Sequence, residues 1–439
     1  MFLPFLVFFL SFVSSLPLSL QSETALLAPI FKDLSTRQYT VQIYLKNPLQ
    51  PTKLLLDLGA SFSWLDCYQN YSSTAYHHIP CNASLCASLS SLACSNCYDS
   101  PGPACGNDTC ALFPENPITR KATIANAIVD TLALPTTDGS TQGPLGLIPE
   151  YIFSCSTTFL LQGLANGVTG LAALGQSDYS LPVQVSTAFS SPRYFALCLS
   201  GSSSDPGVVF LGTSGPYYVN SETDLSKSLI YTPLILNPIG STVITYDHKP
   251  SDEYFVGLTA IKVNGKPVQL NASLLTVDEN GTGGTKISTV HPYTLLETSI
   301  YKAFTALFVS EASALNLTAV TSGVKPFDVC YAVNDVISTR VGPGVPTVDM
   351  VMQNDDVFWR VFGSNSMVRM GGEEGEVWCL GFVDGGPNAR TSMVIGGHQM
   401  EDNLLQFDLQ SKRLGFSSSI LVRGTSCANF NFTSNKILK

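Results

Sequence analysis

The stretch Leu54-Leu-Leu-Asp57-Leu-Gly59-Ala-Ser61 decides the fold. An apolar strand runs into a carboxylate and then a glycine turn, so Asp57 stands at the strand's end. Some 230 residues later Gly283-Gly-Thr-Lys-Ile-Ser288-Thr-Val makes the same approach and ends on a hydroxyl instead of an acid. Two carboxylates about 3 Å apart split their pKa values, because both cannot ionise together. One then takes a proton from water while the other polarises a peptide carbonyl. A serine in the second place removes that division of labour. The sequence reads as half of a two-acid hydrolytic site, on a scaffold that does not cut peptides.

Outward from these loops runs a weak internal repeat. Gly170-Leu-Ala-Ala-Leu-Gly175 follows the Asp57 turn and Met393-Val-Ile-Gly-Gly397 follows the Ser288 turn, each roughly 110 residues on. An apolar element ending in glycine can pass close behind each loop. About 420 residues after a leader exceed one ordinary core, so two lobes are expected. Period-two and β-branched runs predict a mainly β chain. They include Tyr39–Leu45, Lys53–Leu56, Tyr151–Cys155, Tyr194–Cys198, Gly207–Leu211, Tyr254–Val256 and Gln406–Leu409, with a turn at Asn47–Gln50. The best helix signal is Ser299–Ala314, with Ile300, Phe304, Leu307 and Phe308 on one face. The expected division is a leader at 1–20, an N-terminal lobe at 21–215, a joining segment at 216–249 and a C-terminal lobe at 250–439.

Compartment follows from three features. Residues 1–13 are almost wholly apolar and are followed by Ser14 and Ser15, as in a secretory signal too short to span a bilayer. Twelve cysteines, Cys67, Cys81, Cys86, Cys94, Cys97, Cys105, Cys110, Cys155, Cys198, Cys330, Cys379 and Cys427, form an even set that reads as disulfides. Cys94-Ser-Asn-Cys97 has metal-like spacing but lacks a second pair, so no zinc and no cofactor are expected. Asn70, Asn82, Asn107, Asn271, Asn280, Asn316 and Asn431 open glycosylation sequons. Three of them fall inside residues 67–110, a polar, cysteine-rich segment that reads as a stapled surface excursion. Net charge is −10 with no basic stripe, which disfavours nucleic acid. No later segment reads as a membrane anchor. His77 and His78 lack ligand spacing and read as loop residues.

With these residues in view, the chain resembles the plant extracellular dermal glycoprotein, basic 7S globulin and xyloglucanase and xylanase inhibitor family. Further matching segments are Gly385-Gly-Pro-Asn-Ala-Arg390-Thr-Ser392, Gly396-Gly-His-Gln399-Met-Glu-Asp-Asn-Leu-Leu-Gln-Phe407 and Cys427-Ala-Asn-Phe-Asn-Phe432. The resemblance spans the mature chain and implies a bilobal pepsin-like fold. Against pepsin-like proteases it shows three departures. The first loop, D-T-G-[ST] in those enzymes, is Asp57-Leu58-Gly59-Ala60 here. The second, D-[ST]-G, is Ser288-Thr289-Val290. No Y-G-D-G-S-like flap precedes Ile128, so the covering tyrosine is absent. Asp57 is expected to survive as a structural carboxylate accepting backbone N–H groups.

The resemblance implies a secreted inhibitor of microbial glycoside hydrolases, a xyloglucan-specific endoglucanase or a xylanase, acting in the apoplast and cell wall. Arg340 in Ser338-Thr-Arg-Val-Gly-Pro-Gly-Val-Pro346 and Arg423 in Leu421-Val-Arg-Gly-Thr-Ser-Cys427 match loops of this family that enter the target's cleft. Arg390 is a third candidate. The alternative is a storage globulin or a binder of a small peptide hormone on the same scaffold, since one fold hosts several functions.

Overall fold

The structure, a computed structural model, describes residues 24–434 except 70, 92, 221–222, 245–248, 321–323 and 373–374. The leader and Asn70 lie outside the described residues. Strands dominate, and each half of the chain builds its own version of one motif.

In the first half, Tyr39–Leu45 and Gln50–Asp57 form an antiparallel hairpin whose register pairs Thr40 with Leu55 and Leu45 with Gln50. The strand Gly170–Ala173 then runs parallel to the second of these, placing Ala173 beside Asp57. In the second half Thr285–Ile287 and Met393–Ile395 repeat this parallel pairing, with Ile287 beside Ile395. The backbone seals both crossings alike: Leu174 N–H donates to the Asp57 carbonyl at 2.8 Å and Ser288 N–H to the Ile395 carbonyl at 2.9 Å. Such close passage needs glycine. A Cβ at Gly170 would lie 2.1 Å from the Trp64 carbonyl oxygen, and one at Gly396 would lie 2.3 Å from the Tyr293 carbonyl carbon.

The lobes share one sheet. Tyr194–Cys198 pairs antiparallel with Leu404–Asp408, and Ile230–Ile235 pairs with Arg413–Phe416. At this seam Phe195 stacks on Phe407 at 4.5 Å between centroids, and Tyr254 packs on Phe407 at the same distance. Truncating such a buried aromatic typically costs about 3–5 kcal/mol. Cys198–Cys427 fastens the end of the chain to the seam. There Leu27, Phe210, Ile420 and Phe430 form a second core. The segment 216–249 contains the strand Ile230–Ile235, which Gly and Pro punctuation concealed.

The longest helix among the described residues, Thr298–Ala314, buries Ile300, Phe304, Phe308 and Ala312, a strict four-residue stripe. The Glu297 side chain caps it by accepting from Ser299 and Ile300 N–H. All twelve cysteines pair: Cys67–Cys155, Cys81–Cys94, Cys86–Cys110, Cys97–Cys105, Cys198–Cys427 and Cys330–Cys379. The C-x-x-C pair therefore splits between two bonds. Cys81 and Cys94, which with Asp108 make the only metal-like trio among the described residues, are bonded to each other.

Candidate functional site

Asp57 and Ser288 come together at the floor of a cleft of about 510 Å³ between the lobes. Their loops are clasped from one side. Leu58 N–H donates to Thr289 Oγ1 at 3.2 Å, and the same hydroxyl donates to the Leu56 carbonyl at 2.6 Å. Leu58, fully buried, offers no hydroxyl in return.

Asp57 accepts the Gly59 N–H at 2.7 Å. Burial pushes its carboxyl up to about 6 despite that bond, and the charge of Glu253 adds to the rise. Across the cleft Ser288 Oγ lies 3.1 Å from His291 Nδ1. Burial drives His291 down to about 4, and nearby Lys286 pushes the same way. The imidazole is therefore neutral at ordinary pH. Glu253 approaches the Asp57 loop closely, since a Cβ on Gly59 would lie 3.0 Å from Glu253 Cγ. Its charge is committed elsewhere. Burial opposes ionisation, but Lys286 and the hydroxyls of Ser251 and Ser241 outweigh it and hold its pKa below the usual range. No described carboxylate stands free to take the part of a second catalytic acid.

The flap needs a correction. Its sequence motif is missing, yet a short hairpin survives at Glu115–Asn116 and Lys121–Ala122. Asn116 builds its turn, accepting Ile118 and Thr119 N–H while its amide donates to the Leu160 and Gln162 carbonyls. Pro117, Ile118 and Arg120 of this hairpin line the cleft where a tyrosine would cover a substrate. The hairpin is tied across the opening. Arg120 donates to the Ser241 carbonyl, and Val243 N–H donates to Glu115 Oε2 at 2.7 Å.

Sequence reasoning missed Glu115, Arg120, Glu253, Lys286 and His291 as cleft residues. Lys286 carried a signal, since it alternates with buried Thr285 and Ile287 and so faces the opposite side of its strand. Glu253 carried none.

The three arginines separate. Arg390 is anchored at the cleft's lip, donating to the Ile239 carbonyl at 2.8 Å. Arg340 is exposed on the tip between Ser338–Thr339 and Gly342–Pro343. Thr339 Oγ1 to the Gly342 carbonyl, at 2.7 Å, and Ser364 N–H to the Val341 carbonyl, also at 2.7 Å, fix that tip. Arg423 is exposed at the end of the turn Ile420–Arg423, which Gly424 stops at φ +73°. Asp402 holds this turn through Ile420 N–H to its carbonyl and Cys427 N–H to its carboxylate. Among the described residues neither Arg340 nor Arg423 has a hydrogen bond or ion pair. The six described sequon asparagines are all exposed.

Fold and site define the class: a bilobal, mainly β, pepsin-like protein that holds one acid of the catalytic pair. Family profiles described as Xylanase inhibitor N-terminal and Xylanase inhibitor C-terminal match residues 39–213 and 253–418. The chain is 54% identical over 408 residues to Probable aspartic proteinase GIP1 of Glycine max, covering 93% of this chain and 92% of that one. The crystal structure of edgp superposes with a TM-score of 0.91 at 49% identity, covering 93% of this chain and 98% of that one. Conglutin gamma, a unique basic 7S globulin from lupine seeds, superposes with a TM-score of 0.80 at 34% identity, over 94% of this chain and 100% of that one. The chain belongs to the xylanase-inhibitor family of plant extracellular pepsin-like homologues. Like that family, and in keeping with its six disulfides, it is secreted to the extracellular space and cell wall.

Proposed function

We propose that the protein is an inhibitor of microbial glycoside hydrolases, aimed at xyloglucan-specific endo-β-1,4-glucanases, and that it has no peptidase activity. The observation that carries this reading is the pair of exposed arginines on short, braced loops, Arg340 and Arg423, both unpartnered among the described residues, taken together with a two-acid site that has kept only Asp57. Membership in a family described by xylanase inhibition supports it. Retaining glycosidases hold two carboxylates about 5–5.5 Å apart in an open cleft. A guanidinium meets such a pair with planar, charge-assisted bonds and blocks the sugar chain. Arg390, already spent on backbone carbonyls, is the weaker candidate.

The deciding experiment measures inhibition of a panel of secreted fungal endoglucanases and xylanases, on xyloglucan and on xylan. Inhibition of at least one supports the reading, and none across the panel sinks it. A second reading, a storage or peptide-hormone-binding globulin, is favoured by the likeness to a seed globulin at 34% identity and by the open cleft of about 510 Å³. Binding of a peptide without effect on any hydrolase would move it ahead.

A further inference from the structure

A second groove, of about 370 Å³, lies between the lobes away from Asp57. One wall is the turn between the strands Ala25–Lys32 and Tyr39–Leu45, and the other is built by Tyr293, Trp378 and the segment around His398. Its polar groups are unequally used. Glu401 is saturated by the Lys32 ammonium, by the Tyr39 hydroxyl at 2.5 Å and by His398 Nδ1 at 3.1 Å. The Asp402 carboxylate accepts the Cys427 N–H at 2.8 Å. Arg37 is the exception. It is half-buried and held at φ +60°, where non-glycine residues seldom sit; its backbone N–H donates to the Asp33 carbonyl at 2.8 Å, while its guanidinium has no hydrogen bond or ion pair among the described residues. A second guanidinium, Arg369, lies 6.0 Å over the Trp378 ring and, among the described residues, pairs only with exposed Glu376.

We propose that this groove binds a carboxylate-bearing carbohydrate, a short uronic-acid oligosaccharide, with Arg37 taking the carboxylate and Tyr293 and Trp378 supporting the sugar rings. A chain of net charge −10 gathers two guanidiniums here, and both carboxylates beside them are already turned to donors of their own. That leaves the Arg37 guanidinium without an anion among the described residues. Arginine meets a carboxylate bidentately, so a ligand acid satisfies Arg37 better than water does. The volume lies within the range of small-ligand pockets, about 300–1,000 Å³, and a concave site with aromatic walls suits rings more than an extended peptide. The address supports the choice, because the protein resides among wall polysaccharides. This inference does not depend on glucanase inhibition.

The test is calorimetric titration of the intact, disulfide-bonded protein with trigalacturonate, cellotriose and an acidic tripeptide. Trigalacturonate should bind, weakening with salt, and cellotriose should not. Arg37→Asn, which tolerates the positive φ, should weaken binding at least tenfold with an unchanged melting temperature, and Arg37→Lys should weaken it less. Arg369→Gln, on the opposite wall, should weaken it as well and serves if Arg37→Asn misfolds. No trigalacturonate binding at millimolar concentration would overturn the proposal. So would equal affinity in both variants, or tighter binding of the tripeptide than of the uronate.

Discussion

Replacing Arg340 and Arg423 by alanine, singly and together, is the sharpest test of inhibition. Both guanidiniums are exposed and unpartnered among the described residues, and both loops are braced by groups other than the arginine. Truncation should therefore leave the folding free energy within about 0.5 kcal/mol. The whole penalty then falls on the complex. An arginine seated between the target's two carboxylates leaves them buried and uncompensated when removed, a loss of about 2–5 kcal/mol. At about 1.4 kcal/mol per decade this is roughly thirtyfold to several thousandfold in inhibition constant. An arginine that only meets the target's rim loses about 0.2–1 kcal/mol, roughly fivefold at most. The two single variants thus distinguish a central contact from a peripheral one. If both arginines share the same carboxylates, the double variant will fall short of the sum of the singles. Lysine at the central position should restore only part of the loss, since it lacks the planar fork. The assay is an inhibition constant for each variant against one susceptible endoglucanase, with thermal melts as fold control. Parent-like inhibition by both singles and by the double would refute the arginine-in-cleft mechanism while leaving inhibition itself standing.

Other outcomes follow from the same geometry. Purified protein should not cleave a denatured protein substrate near pH 4, and Ser288→Asp should not create cleavage, because Leu58 supplies no return hydroxyl and the hairpin at Glu115–Ala122 is tied across the cleft; pepstatin-sensitive turnover by either would contradict this. Burial raises Asp57 and Asp402 from 3.8 to about 6, so between these values the folded state binds more protons than the unfolded state and stability falls as pH rises. Each contributes about 3 kcal/mol of this fall, complete above pH 6. Denaturant melts of Asp57→Asn should show higher stability at pH 7 than the parent and a shallower decline from pH 4 to 6, and an unchanged profile would refute the assignment. Removing Cys198–Cys427, whose partners are 229 residues apart, should cost on the order of 5 kcal/mol in denaturant unfolding, and an unaltered midpoint would count against its role in pinning the seam.

Much of the fold could be read because pepsin-like architecture writes its constraints locally. The Asp57 and Ser288 turns and their apolar-glycine partners were legible since each crossing forbids a side chain at a particular place. Tyr194–Cys198 and Gly207–Leu211 were legible because a strand buried on both faces is apolar throughout. Ile230–Ile235 was not, since Pro233 and its exposed residues break the pattern in a strand that pairs with Arg413–Phe416 through its first four residues and with Tyr254–Val256 through its last two. The disulfide pairing was also hidden, because six pairs among twelve cysteines depend on which loops meet, not on spacing. The same reason explains the site. Asp57 and Ser288 sit in repeating loops, so pattern finds them, but Glu253 and Arg120 become cleft residues only when the two lobes close around one space. They settle what the cleft can do. Losing an acid at position 288 would be recoverable if a neighbouring carboxylate were free to turn inward. Glu253 is near enough to Gly59, yet Lys286 and two hydroxyls bind it in the charged state, and Arg120 holds Glu115 and Ser241 across the opening. The charge pairs that hold these carboxylates were invisible in the order of residues, and placing a second free acid in the cleft would require undoing them together with the serine.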